Sequence, residues 1–253
     1  MRRSRIDAGA FGPGVGRMGP TVDSRSSATA AGCAVARRSG RRSCRDVLAL
    51  AFVLAACGAV SGSPVAPTCP TDRTIVLASQ ADITRLARCT TLRGVTIRSG
   101  AALDTSMLHE LATITGDLVI GPTVGTAEIV LRELRVVGGT LRVAGNSLMQ
   151  GLFLPKLERA GRIEIEGNAA VATVSLPKLT AVRGALRITD NASLELVDLA
   201  TLAAVDQELV LAGDPALALV EASALHTAAS VQLDAPKLPP DVADRLRSVA
   251  AMP

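Results

Sequence analysis

The chain has 253 residues, with 27 Lys and Arg against 23 Asp and Glu, and a pI near 9.1. The charge is lopsided: residues 1–56 hold ten Arg and three acids, whereas residues 57–253 hold 17 basic and 20 acidic side chains. With the basicity confined to one end, no Trp or Tyr, and only Phe153 beyond residue 56, the composition excludes a generic nucleic-acid surface or aromatic sugar platform.

In chain order, residues 1–36 are rich in Gly, Ser and Arg and lack hydrophobic periodicity. They read as a disordered upstream segment, or as untranslated sequence if the start lies at Met18 or Val35. Residues 37–56 read as a signal peptide: Arg37, Arg38, Arg41, Arg42 and Arg45 precede the apolar run "VLALAFVLAAC", Val47 to Cys57. That run is too short to span a bilayer as a mature helix. Its end, "LAAC" from Leu54 to Cys57, resembles the lipobox of bacterial lipoproteins. The resemblance implies lipid transfer to the Cys57 sulfur and cleavage before it. Because Gly58 and not Asp follows, it also implies a lipid-anchored place in the bacterial cell envelope, at the outer membrane. Residues 57–68, "CGAVSGSPVAPT", read as a flexible tether.

Five Cys are present; Cys33 and Cys44 leave with the leader and Cys57 takes the lipid. Cys69 and Cys89 remain, an even pair in an oxidising compartment, and read as a disulfide. The two His residues, His109 and His226, are isolated, so neither a metal site nor a cofactor is expected.

From residue 69 on, the chain repeats itself. "LPKLERAGRIEIEGN" (154–168) returns as "LPKLTAVRGALRITDN" (176–191). Leu111, Leu134, Leu157, Leu179, Leu202 and Leu225 fall 22 or 23 residues apart, and three residues after each comes Ile114, Val137, Ala160, Val182, Val205 or Ala228. Short alternating runs follow: "LVI" 118–120, "LRV" 141–143, "IEI" 163–165, "LRI" 186–188, "LVL" 209–211 and "VQL" 231–233. Then come a corner column, Asn146, Asn168, Asn191 and Asp214, and an apolar column, Leu148, Val171, Leu194 and Leu217. Each unit closes on a second alternating pair: Leu152/Leu154, Val174/Leu176, Val197/Leu199, Val220/Ala222. A fixed period of this length with period-2 strands predicts an all-β fold, a right-handed parallel β-helix or solenoid of 22–23-residue coils. No single coil can bury its own apolar side, so the core must form between stacked coils. Asn suits a tight corner whose backbone groups need partners. Gly94, Gly116, Gly139, Gly161 and Gly184, just before the first strand, predict a positive φ or close backbone approach. Pro240 and Asp241 open a short helix with Val242, Leu246 and Val249 on one face, expected to cap the last coil.

Residues 69–97, "CPTDRTIVLASQADITRLARCTTLRGVTI", resemble the amino-terminal cap of the receptor L domain. In that cap a first Cys precedes a short strand and helix, and a second Cys opens the first coil. Cys69, Cys89, Leu92 and Gly94 match that pattern, and the later "LPxLxxVxGxLxIxxN" units extend the resemblance to about residue 234. The resemblance implies the solenoid fold for 69–253. It implies no receptor function, because the chain holds one unit of that size and the coil at 120–131 lacks the Asn corner.

No catalytic motif emerges. Glu164 and Glu166 leave one strand on the same side, as a glycoside-hydrolysing pair would, but a solvated strand face explains them more simply. The chain reads as a non-enzymatic binding or structural module; the alternative is an envelope carbohydrate-active enzyme on a β-helix scaffold. Partners expected are the membrane, through Cys57, and an envelope protein or glycan. On the first strand, Val119, Arg142, Glu164, Arg187, Val210 and Gln232 point outward, with alternating charges that predict an ion-pair ladder. On the second, Val130, Phe153, Ser175, Asp198 and Glu221 do so. Val130 and Phe153, rimmed by Lys156 and Lys178, form the candidate partner face.

Overall fold

In the computed structural model of the chain, residues 69–250 are described. The upstream segment, the signal peptide, Cys57 and the tether lie outside the described residues. What is described is a parallel β-solenoid of about 7 turns, with coils about 23 residues apart.

The alternating runs become strands because every second side chain must enter one dry interior. The larger sheet stacks β1 (Thr74–Leu77), β3 (Gly94–Ile97), β5 (Leu118–Ile120), β7 (Val136–Ala144), β9 (Arg159–Glu166), β12 (Leu186–Thr189), β14 (Ala204–Ala212) and β16 (Thr227–Asp234), each parallel to its neighbours. Two-residue strands β2 (Thr91–Leu92), β4 (Thr113–Ile114) and β11 (Ala181–Val182) extend it around a corner. The smaller sheet stacks β6 (Glu128–Val130), β8 (Gly151–Phe153), β10 (Thr173–Ser175), β13 (Leu196–Asp198) and β15 (Leu219–Glu221), again all parallel. Inward pairs such as Leu141/Val143, Ile163/Ile165 and Leu186/Ile188 face Leu152/Leu154, Val174/Leu176 and Val197/Leu199, all buried. At roughly 2 kcal/mol for each buried Leu, Ile or Val, this stack is the main stabilising term.

Both ends are closed. Cys69 and Cys89 form a disulfide. Between them β1 is followed by α1 (Gln80–Leu86), which buries Ile83 and Leu86 over the first coil. Ser79 starts that helix through a capping box with Asp82. At the other end α2 (Pro240–Val249) packs on β16 and buries Ala243, Leu246 and Val249. Ala243 thus takes the central place expected for Val242, which is half-buried.

Two corner features differ from the sequence reading, and a third decides between alternatives it left open. Leu148 is 57% exposed, and Met149 fills the core beside Val171, Leu194 and Leu217. The buried residue follows each Asn by three positions, so Leu148 is one residue early. Positive φ occurs not at the glycines before the first strand but immediately before the four corner residues, at Gly145, Gly167, Asp190 and Gly213, and at Gly121, two residues before Thr123. The earlier glycines serve close approach instead. A Cβ on Gly161 would sit 2.6 Å from the carbonyl oxygens of Gly138 and Gly139. That corner also explains the uneven period. The register shifts between Val137 and Thr140 of β7, where β9 has one residue fewer. Finally, the coil at 120–131 does fill the ladder column, with Thr123, which is buried.

Candidate functional site

The Asn corners form a continuous internal ladder. Asn168 Nδ2 donates to Val143 O (3.0 Å) one coil back and to Asn191 Oδ1 (3.0 Å) one coil on. Asn168 Oδ1 in turn accepts from Asn146 N (3.2 Å) and Nδ2 (2.9 Å). Asn191 makes the same contacts toward Ile165 O and Asp214 Oδ1, and Asn146 Oδ1 accepts from Thr123 N and Oγ1. All four corner residues, Asn146 through Asp214, are 0% exposed. The column is buried and ties the corners of successive coils together.

The outer face of the larger sheet carries charge, and most of it is paired. Arg142 bonds Glu164 (3.0 Å) and Glu166 together, and Arg162 reaches the other oxygen of Glu164 (3.3 Å). Arg187 departs from the expected ladder. It turns to Glu208, whose hydrogen bond and charge raise the Arg187 pKa further. Val210, expected outside, is 6% exposed between its neighbours Arg187 and Gln232. Among the described residues no three of His, Cys, Asp and Glu lie close enough to hold a metal ion.

On the smaller sheet Val130 and Phe153 stand in register on adjacent strands, both half-buried and outward. The Phe153 ring folds back over Gly151. A Cβ there would come within 2.3 Å of Phe153 Cε2, so this glycine is the floor on which the ring rests. Lys156 is not a free rim charge: its Nζ donates to both Glu133 oxygens at 2.6 and 2.8 Å. That hydrogen bond holds the Glu133 carboxyl below the usual range. Lys178 is exposed one coil on.

The sequence reading took only one of the two outward columns. The first residue of each three-residue strand also points out: Glu128, Gly151, Thr173, Leu196 and Leu219 share a register. Leu219 is 42% exposed and Leu196 half-buried, so the apolar surface runs past Phe153 toward the C-terminal coil. Strand alternation alone would have found them. Asp198 and Glu221 line its other side, Asp198 accepting from Ser175 Oγ (3.1 Å). A flat strip of this kind can hold a partner by contact. A separate cleft of about 530 Å³ lies between β1 and α1, lined in part by Arg73, Val76 and Asp82.

Comparisons with protein-family models, with curated proteins and with solved structures find no match for this chain.

Proposed function

We propose that this chain is a lipid-anchored cell-envelope protein, held at the outer membrane through Cys57, whose rigid solenoid is a non-catalytic binding or structural module. Within that reading the fold is receptor-L-domain-like. The bonded Cys69 and Cys89, flanking a strand and helix before the first coil, support this. The observation that carries the binding role is the outward strip of the smaller sheet, with Val130, Phe153, Leu196 and Leu219 on parallel, rigidly spaced strands. Such rows present side chains at a fixed interval of about 4.8 Å, which suits an extended contact. The rival reading, a carbohydrate-active enzyme, needs a carboxylate pair free to exchange protons. Against it, Glu164 and Glu166 are both ion-paired with Arg142.

The test uses two variants in intact cells. Cys57→Ser should abolish fatty-acid labelling and leave unprocessed precursor; normal labelling would sink the anchor. Phe153→Ala should weaken crosslinked capture of an envelope partner while preserving the far-UV spectrum. Undiminished capture by a folded variant would remove this strip as the docking face.

A further inference from the structure

Among the described residues, one buried side-chain polar atom has no hydrogen-bond partner: Oδ2 of Asp214, the last rung of the ladder. The preceding rungs show what that position demands. Each Asn Nδ2 donates to a strand carbonyl one coil back: Asn146 to Ile120 (3.2 Å), Asn168 to Val143 (3.0 Å) and Asn191 to Ile165 (3.1 Å). Ile120, Val143, Ile165 and Ile188 share one register, so the carbonyl that corresponds for Asp214 is that of Ile188. The other oxygen, Oδ1, already accepts from Asn191 N (2.8 Å) and Nδ2 (3.1 Å). Oδ2 therefore occupies a donor's place. An ionised carboxylate there sets one acceptor against another on a side chain that exposes no surface, whereas a protonated one completes the ladder.

The surroundings do not favour a charge. Asp190 on the preceding corner adds a second negative charge. Asp234, at the end of β16, lines with Asp214 an open cleft of about 340 Å³ where a further rung would stand. Lys237, the next cation along the chain, is exposed and makes no ion pair. Burial, opposed by the two Asn191 bonds and reinforced by Asp190, pushes the Asp214 carboxyl up to about 6.

We propose that in acid Asp214 stands in the folded protein as the neutral acid, donating from Oδ2 to the Ile188 carbonyl. Its ionisation then works as a release for the last coil and the helix packed on it. The sign follows from linkage. A carboxyl whose pKa is higher folded than unfolded contributes its full stabilisation below the unfolded value of 3.8, and loses it as pH rises through about 6. Acid tightens the C-terminal end; neutral and basic conditions loosen it.

Asp214→Asn keeps a donor in place at every pH and is the matched comparison. Unfolding of both chains is followed by circular dichroism from pH 4 to pH 8, and the wild-type Asp214 carboxyl is titrated by carbon-13 NMR. Expected is a carboxyl midpoint near 6. The Asn variant's advantage in the folding equilibrium constant should grow by roughly 100-fold across that range, tenfold for each unit of pKa difference. Amides of residues 204–234 should exchange faster in wild type than in the variant at pH 8 but not at pH 4. An advantage independent of pH, or a midpoint in the ordinary carboxylate range, overturns the proposal. If the variant does not fold, the wild-type midpoint decides alone.

Discussion

Replacing Asn168 by Ala removes the middle rung of the ladder and should be among the costliest single truncations in the molecule. Four side-chain hydrogen bonds disappear together: two donated by Nδ2 to Val143 O and Asn191 Oδ1, and two accepted by Oδ1 from Asn146 N and Nδ2. At a net value of about 1 kcal/mol each, the bonds alone account for about 4 kcal/mol. The Asn146 residue is 0% exposed, so its amide cannot turn to water for compensation. A buried donor stranded in this way costs a further 1 kcal/mol or more. A loss of about 4–5 kcal/mol corresponds to roughly 10 °C or more in Tm for a domain of this size. Because residues 69–250 contain no Trp or Tyr, denaturant unfolding has to be followed by far-UV circular dichroism. A loss below about 1 kcal/mol would refute the reasoning, since the corners would then be satisfied without the ladder.

Two further predictions address the corners. Met149→Ala should cost about 2–4 kcal/mol, while Leu148→Ser, at an exposed position, should change stability by less than about 0.5 kcal/mol; equal costs would restore Leu148 to the core. Gly167→Ala meets no atom within 4 Å, so its cost reflects only the φ of +61° and should be about 1 kcal/mol. Gly161→Ala keeps an ordinary φ but drives a methyl into two carbonyl oxygens and should cost more than Gly167→Ala; the reverse order in chemical denaturation would show that the coils can spread there.

The legible part of the fold was the part with a rule of spacing. Inward Leu, Ile and Val recur at positions 22 or 23 apart because every coil faces the same interior, and the columns so read are buried except Leu148 and the half-buried Val231 and Leu233 of the last coil. Corners obey no period of two, which is why a one-residue slip placed Leu148 where Met149 belongs. The positive-φ column stayed hidden because Asp190 interrupts a line of glycines at Gly145, Gly167 and Gly213. Thr123 passed unseen as a rung because its hydroxyl makes the contact for which an amide was expected. Lys156 looked free because its partner, Glu133, lies 23 residues back, outside any local window. Repeat arithmetic applied to the loops would have paired them. The face around Phe153 was half legible for the same reason: one outward column was read and its companion through Leu196 was not. A partner for such a face would leave no signature in spacing, since a flat contact surface needs no fixed set of residue types.

The hydrogen bonds that join one coil to the next connect residues no more than 27 apart, whether through the ladder, the outer charges or the N-terminal corner. Nothing in such a stack refers to its total length. A further coil of 23 residues, inserted in register between Asn168 and Asn191, would recreate at each junction the contacts already present and lengthen the body by about 4.8 Å. Removing one would shorten it by the same step. Only the ends are singular: the cystine-bound strand and helix at one and the proline-started helix at the other close surfaces that would otherwise accept another coil. Tandem duplication within the gene can therefore tune the length of this solenoid while leaving both caps, and the register of the face between them, unchanged.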